Sequence, residues 1–185
     1  MCTEIEAKLK VDSHRIVADK LAQLGAEFVA EQLQKDWYFD DSKQTLTKTD
    51  RCLRLRRQLV GEFEKVFLTY KGAREKGRFK RRQEVGIEVN DADLAGKLLL
   101  GLGYQKVLFF EKKRRVWRFG GCEVALDHLP VLGDFVEIEG PDEGEIADVQ
   151  RNLGLSNLPH IRESYAALMT EELCRLGKER KEAYL

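Results

Sequence analysis

The segment EIEAKLKV, residues 4–11, alternates charged and apolar side chains along its whole length. Its even positions are Glu4, Glu6, Lys8 and Lys10, and its odd positions are all apolar. Side chains of a β-strand point alternately to its two faces, so this pattern predicts a strand with one apolar face and one fully charged face. The fold depends on whether the charged face meets solvent or lines an interior.

The other predicted strands repeat this division of faces. The predicted helices are amphipathic and require apolar strand faces to pack on. If the helices cover the outside of the sheet, the charged faces line its inside, where charges are stable only when they are paired or bind ions. The pattern therefore predicts a wet tunnel lined by both cations and carboxylates. The charged residues that share a face within a strand are Arg54 and Arg56, Lys65 and Lys71, Arg82, Glu84 and Glu88, Lys112 and Arg114, Glu123 and Asp127, and Glu137 and Glu139.

The chain also carries an internal repeat. Two predicted helices end in Leu-Gly pairs at 24–25 and 102–103, which are 78 residues apart, and the same offset places Glu6 over Glu84. Each half then reads as a strand, a helix and three further strands, which gives eight mostly antiparallel strands in all. Closing eight strands into a barrel leaves no unpaired edge.

These patterns predict an α+β protein with an eight-stranded antiparallel closed tunnel barrel, a charged interior and helices packed outside. The single domain is expected to span residues 1–176, with residues 177–185 as a charged C-terminal tail. The basic stretch at 73–80 is predicted to be a mobile loop ahead of a strand at 82–89, and residues 74–82 are expected to be solvated and to close over the substrate.

Composition narrows the range of partners and compartments. The 32 Lys and Arg residues balance 32 Asp and Glu residues, so net charge gives no reason to expect nucleic acid or an anionic membrane. No signal peptide and no apolar run of bilayer length is evident. The 4 cysteines are scattered without a CxxC pair, which favours reduced thiols over zinc or disulfides. We therefore expect a cytoplasmic protein.

The charged faces suit one class of ligand. Several Arg and Lys side chains in a small volume favour phosphates, which Arg binds through two parallel hydrogen bonds. Carboxylates two residues apart on a strand, such as Glu4 with Glu6 or Glu137 with Glu139, favour a hard divalent cation such as Mg²⁺. A polyphosphate with Mg²⁺ is the simplest ligand that satisfies both groups.

Four motifs give the chain a family resemblance. EIEAK at 4–8 fits an ExExK signature, and it is followed in order by DRCLRLR at 50–56, LTYKG at 68–72 and EIE at 137–139. Together these segments resemble the CYTH superfamily, also called triphosphate tunnel metalloenzymes, from about Glu4 to Tyr165. ExExK alone is a weak signal, whereas the ordered set is strong.

The resemblance implies a tunnel that binds a triphosphate together with Mg²⁺ or Mn²⁺. By position, five carboxylates are expected both to hold the metal and to be catalytic, and Lys8 is expected to be a further catalytic residue. The register of the basic run at 112–115 stays open. The implied metal ligands are Glu4, Glu6, Asp127, Glu137 and Glu139. The implied phosphate-binding residues are Lys8, Arg54, Arg56, Lys71, Arg82, Lys112 and Arg114.

Within the superfamily the sequence is most similar to class IV adenylyl cyclases, which implies conversion of ATP to cyclic AMP and pyrophosphate. A triphosphatase acting on inorganic tripolyphosphate or thiamine triphosphate would use the same residues, so this alternative stays open. A non-catalytic binder of organic polyphosphates is the third hypothesis. The expected partner is a nucleoside or inorganic triphosphate, without nucleic acid or membrane, and a homodimer is left open.

Overall fold

The computed structural model of the chain describes residues 2–75, 77, 79–178 and 181–185, apart from the side chain of Cys2. Within these residues, no helix has both the length and the hydropathy that a membrane span requires. The strands are β1 (Cys2–Lys10), β2 (Glu27–Asp40), β3 (Cys52–Val60), β4 (Phe63–Lys71), β5 (Lys80–Val89), β6 (Gln105–Phe119), β7 (Cys122–Leu129), β8 (Gly133–Glu139) and β9 (Glu182–Ala183). The helices are α1 (His14–Gln23), α2 (Thr45–Lys48), α3 (Ala92–Gly101), α4 (Glu143–Asn152) and α5 (Tyr165–Arg175).

The first eight strands close into a barrel. Their order is β2-β3-β4-β5-β1-β8-β7-β6, every neighbouring pair is antiparallel, and pairing of β2 with β6 completes the ring. The predicted eight-stranded antiparallel barrel is confirmed. Closure matters for function because it turns one face of every strand towards a shared interior.

The alternation in β1 positions the core and the interior as predicted. Ile5, Ala7 and Leu9 are buried on the outer face in a cluster with residues of α1 and α4. Glu6 and Lys8 are buried as well, but on the opposite face, inside the barrel. The apolar core therefore lies between the barrel and its helices, and the charged residues occupy the inside.

The strand register supports the proposed repeat. Pairing of β1 with β5 places Glu4 opposite Arg82, and pairing of β2 with β6 places Gln34 opposite Lys112. Both pairs join residues that are 78 positions apart, so each residue faces its own counterpart in the other half. This is the arrangement expected when two equivalent halves are related by a pseudo-twofold axis. We keep the duplication within residues 1–176 as a proposal on this basis.

Two segments have more structure than their sequence indicated. Residues 181–185, within the predicted tail, supply β9, which pairs in parallel with Phe109 and Phe110 of β6. In the predicted loop at 73–80, Lys76 and Arg78 lie outside the described residues. Phe79 and Lys80 are buried, so the expectation of a fully solvated loop is wrong for its last two residues.

Helices cover the outside of the barrel unevenly. Val85 and Ile87 on the outer face of β5 are 44% and 56% exposed, and Tyr70 beside them on β4 is 37% exposed. Their counterparts in the other half, 78 residues earlier, are Ala7 and Leu9, which are 1% and 0% exposed. The expected helical cover is therefore complete over β1 and incomplete over β4 and β5.

Candidate active site

Charged side chains line a cavity of about 380 Å³ inside the barrel, which we call the tunnel. The structure brings together on its wall all the residues predicted to bind phosphate and every predicted metal ligand except Asp127, which is fully buried. The carboxylates of the wall are Glu4, Glu6, Glu84, Glu137 and Glu139, and the cations are Lys8, Arg54, Arg56, Lys71, Lys80, Arg82, Lys112 and Arg114.

Three carboxylates gather where β1 meets β8. The register places Glu6 opposite Glu139, and Glu4 lies on the same face of β1 as Glu6. Ammonium groups neutralise two of the three: Lys71 Nζ lies 2.7 Å from a Glu4 oxygen, and Lys80 Nζ lies 2.6 Å from a Glu6 oxygen. Burial, together with the nearby Glu4 and Glu6 carboxylates, raises the pKa of Glu139 to about 7, although its side chain keeps contact with solvent.

This carboxylate group fits a divalent cation in its chemistry. In the part of the chain that the structure describes, no three His, Cys, Asp or Glu side chains stand close enough to hold a metal as they are. Carboxylate oxygens are nevertheless the donors that Mg²⁺ and Mn²⁺ prefer. The crowding that raises the pKa of Glu139 marks a place where added positive charge is favoured. A divalent cation would relieve the repulsion among these carboxylates once the ammonium groups of Lys71 and Lys80 move aside.

Lys80 is a tunnel residue that the sequence analysis did not identify. Its Nζ donates to Glu6, and although burial would lower the pKa of Lys80, the carboxylates of Glu6 and Glu137 raise it. Lys80 begins β5 on the same face as Arg82. Extending the alternation of β5 by one pair of residues finds it, but the basic run ahead of the strand hides where the strand begins.

Glu137 joins two cations on the tunnel wall. One carboxylate oxygen lies 3.3 Å from Lys8 Nζ, and the other accepts a hydrogen bond from Arg114 Nη2. Burial would raise the pKa of Glu137, but Lys8 and Arg114 hold it well below its usual range. Glu137 is therefore ionised and paired before any ligand arrives.

Two buried carboxylates hold tunnel cations from behind. Asp36 accepts two hydrogen bonds of 2.6 Å from Arg56, and Asp127 accepts two from Arg114, at 2.7 and 2.6 Å. Asp127 also lies 3.2 Å from Lys112 Nζ. Asp127 is fully buried behind the tunnel wall, whereas Glu137 lines it, and this favours a positioning role for Asp127 over the expected role of metal ligand. Asp36 and Arg114 are 78 residues apart, so equivalent pairs in the two halves carry opposite signs.

Arg54 and Arg82 contribute to the tunnel in different ways. The Nε atom of Arg54 is buried and has no hydrogen-bond partner among the described residues, so this guanidinium can accept a new ligand. Arg82 donates instead to the backbone oxygens of Gly72 and Asp50, at 2.6 to 2.9 Å. Arg82 therefore holds two loops at the tunnel wall, and its predicted phosphate contact stays a prediction.

Helix α5 places an aromatic ring against the tunnel. Ser164 is its N-cap and accepts a hydrogen bond from the Ala167 N–H group. The Tyr165 ring centre lies 4.0 Å from Lys8 Nζ and 4.9 Å from Lys112 Nζ, which is cation–π distance. Burial and neighbouring Lys80 lower the pKa of Lys8, and burial and Arg114 lower the pKa of Lys112 to about 7.

A closed barrel with carboxylates and cations on its inner wall defines a class of tunnel enzymes. The CYTH domain model matches residues 3–165, and the chain belongs to this family. Membership of this family implies an enzyme that depends on a divalent metal and acts on a nucleotide or another triphosphate.

The relatives of this chain carry two kinds of description. The chain is 29% identical to adenylate cyclase CyaB of Aeromonas hydrophila over 180 residues, covering 92% of this chain and 90% of that protein. The solved structure of the PH1819 protein of Pyrococcus horikoshii is similar at a TM-score of 0.79 with 29% identity, covering 91% and 98% of the two chains. The putative adenylyl cyclase HpAC1 of Hippeastrum, described as having a dominant triphosphatase activity, shares the fold at a TM-score of 0.71 with 20% identity, covering 96% and 97%.

Proposed function

We propose that this protein is an adenylyl cyclase that converts ATP to cyclic AMP and pyrophosphate with Mg²⁺ or Mn²⁺. The observation that carries the proposal is the joint presence, in one closed tunnel, of a crowded carboxylate group and of cations within reach of a triphosphate. The similarity to adenylate cyclase CyaB over most of both chains supports the choice of reaction.

In this reaction the ribose 3′-oxygen bonds to the α-phosphorus, the bond from that phosphorus to the pyrophosphate oxygen breaks, and the hydroxyl proton leaves to water. Bound at Glu4, Glu6, Glu137 and Glu139, a divalent cation would supply charge that favours ionisation of the hydroxyl and neutralises the phosphates. Arg54, with its unpartnered Nε, is the cation best placed to hold a β- or γ-phosphate oxygen.

The chain's own contribution is mostly positioning and electrostatic stabilisation. Arg56 and Arg114 are fixed in place by Asp36 and Asp127, so their charge is preorganised towards the leaving pyrophosphate. Preorganised cations need no reorientation while charge moves to the leaving group, which lowers the barrier.

Hydrolysis of a triphosphate is the second candidate. In that case water attacks the terminal phosphorus and orthophosphate leaves, while the same carboxylates and cations hold the substrate. The triphosphatase activity described for HpAC1, which shares this fold, favours keeping the candidate. A non-catalytic polyphosphate binder is disfavoured because cations alone would serve it, whereas this tunnel also carries the carboxylate group. The proposal includes no nucleic-acid or membrane partner, and it places the enzyme in the cytoplasm.

Product analysis tests the proposal. The purified protein is incubated with ATP, tripolyphosphate and thiamine triphosphate in turn, each with Mg²⁺ and with Mn²⁺. Cyclic AMP with equimolar pyrophosphate is the expected result, and orthophosphate alone would contradict the cyclase assignment in favour of hydrolysis. Glu137→Gln is the matched negative variant, because it keeps the shape of the side chain but removes the charge that pairs with Lys8 and Arg114.

A further inference from the structure

A second cavity adjoins the tunnel and differs from it in chemistry. This side cavity has a volume of about 410 Å³, and it shares Tyr38, Cys52, Arg82 and Ser164 with the tunnel wall. The shared wall residues place the two cavities side by side, with these side chains between them. A volume of this size lies within the range of small-molecule sites.

The wall of the side cavity is largely apolar. Strand residues supply one side of it, and helix α5 supplies the other from successive turns, through Ala166, Ala167, Thr170 and Cys174. An apolar wall with a few hydroxyl groups suits an aromatic heterocycle and a sugar. The strands contribute four apolar residues to this wall, which are Phe39 of β2, Leu53 of β3, and Val107 and Leu108 of β6.

We propose that the side cavity holds the base and ribose of a nucleoside triphosphate whose phosphates lie in the tunnel. The inference rests on the proposed function, because it takes a triphosphate in the tunnel as its starting point. It adds that the organic part of the substrate has its own site between β3, β6 and α5. A tripolyphosphate would leave that site empty and gain nothing from it.

The charges around the side cavity favour a neutral base over the thiazolium cation of thiamine triphosphate. Three cations face the cavity against two carboxylates, and one of the carboxylates is already paired with Arg74 at 2.8 Å. A positively charged ring would therefore be repelled, whereas a neutral purine or pyrimidine would not. The charged residues of this wall are Arg51, Arg82, Lys181, Asp50 and Glu171.

Filling the side cavity provides the test. Ala167 is an exposed residue of α5 that lines the cavity, so Ala167→Trp should fill the space without disturbing the core. We expect the dissociation constant for a non-cleavable ATP analogue with Mg²⁺ to rise at least tenfold, and that for tripolyphosphate to stay within twofold. Arg175→Trp is the matched control, because Arg175 lies on the same helix, pairs with Glu172 and does not line the cavity.

The outcomes separate this inference from the proposed function. Unchanged affinity for the ATP analogue in Ala167→Trp would overturn the inference while leaving a triphosphate-binding tunnel in place. Equal losses for both ligands would also overturn it, because the substitution would then act on the tunnel. Failure of the unmodified protein to bind either ligand would instead contradict the proposed function.

Thiol labelling gives a second reading without a bulky substitution. Cys174 is exposed, lines the side cavity and carries a free thiol. A nucleotide seated there should slow alkylation of Cys174 by iodoacetamide at least threefold, measured by mass spectrometry of the Cys174 peptide. Tripolyphosphate should leave that rate unchanged. Equal rates with and without the ATP analogue at saturating concentration would overturn the inference.

Discussion

Neighbouring arginines on one strand face differ in what holds them. Arg56 is bound through two hydrogen bonds by Asp36, whose side chain is 1% exposed, whereas the buried Nε of Arg54 has no partner among the residues described. The alternation in β3 predicts that both side chains face the tunnel. It does not predict the difference, because Asp36 lies on another strand.

We therefore expect two alanine substitutions to have different effects, one on ligand binding and the other on stability. Arg54→Ala should weaken triphosphate binding by more than about 1.5 kcal/mol, the value of a charge-assisted contact, and leave the unfolding free energy nearly unchanged. Arg56→Ala should cost about 3–5 kcal/mol of stability, because it leaves the Asp36 carboxylate buried without a partner. Calorimetric titration and urea unfolding measure the two effects. Similar stability of both variants would contradict the distinction.

The Glu139 carboxyl should make stability depend on pH in the metal-free protein. Its pKa in the folded state is about 7, above the ordinary value of 4.5, so the folded protein holds a proton that the unfolded chain releases. The stabilisation that it contributes is fully present below about pH 4.5, and it is lost as pH rises through 7. Glu139→Gln removes this loss.

Urea unfolding in EDTA at pH 5 and pH 8 checks this expectation. The unmodified protein should lose more stability between the two pH values than Glu139→Gln does. Glu88→Gln, on the same barrel but exposed and paired with Lys65, is the control and should follow the unmodified protein. Parallel pH profiles for the unmodified protein and Glu139→Gln would contradict a raised pKa.

At the scale of elements, the short strand β9 shows what a charged segment can contribute. The Phe109 N–H group donates to the Lys181 oxygen at 2.9 Å, Ala183 is 3% exposed, and the centres of the Tyr184 and Phe109 rings lie 5.1 Å apart. Composition predicts a charged tail here, because three of the last nine residues are Lys or Arg and two more are Glu. The contacts arise from backbone pairing, which composition does not reveal.

Removing residues 181–185 should therefore destabilise the barrel by about 1–3 kcal/mol, since it loses a buried hydrogen bond and an aromatic contact. The edge of β6 at Phe109 and Phe110, which β7 does not cover, should then be exposed and promote aggregation. Thermal unfolding and light scattering measure the two effects. Lys181→Ala keeps the backbone pairing and should behave like the unmodified protein. A deletion variant of full stability would show that β9 does not hold the edge.

Some element boundaries are set by residues close to them in sequence, and others by a distant partner strand. Ser13 caps α1 and Asp91 caps α3, and Ser and Asp are residue types that favour this position. The aromatic segment DWYFD at 36–40 indicates by itself only a short strand, but it is the end of β2, which runs from Glu27 because it pairs with β6 along its length. Local patterns find caps and turns, whereas a distant partner strand sets the length of β2.

At the scale of the whole molecule, most of the interior charges are paired with one another. The alternation along the strands and the repeat were enough to predict the barrel, its charged inside and most of the wall residues. The pairings could not be predicted, because Lys71 with Glu4, Lys80 with Glu6 and their like join strands far apart in sequence. A metal must therefore displace ammonium groups before it reaches the carboxylates.

Lys80→Met should accordingly strengthen Mn²⁺ binding to the phosphate-free protein by about tenfold, which corresponds to about 1.4 kcal/mol. The Glu6 carboxylate then has no ammonium at 2.6 Å to displace. The same variant should lose thermal stability without metal and regain it with Mn²⁺. Lys65→Met, which removes an exposed pair with Glu88 outside the tunnel, is the control. Weaker Mn²⁺ binding in Lys80→Met would contradict the competition.

Because the helical cover is uneven, one half of the barrel should be more stable against local opening than the other. Residues 5–9 of β1 are buried on both faces of the strand, whereas the outer faces of β4 and β5 carry Tyr70, Val85 and Ile87 in contact with water. Strands with fewer packed neighbours open at lower free energy, so their amide hydrogens should exchange with solvent faster than those of β1 and β8. β4 and β5 also carry Lys71 and Arg82. Transient opening of β4 and β5 would then be the motion by which the barrel admits and releases a highly charged ligand.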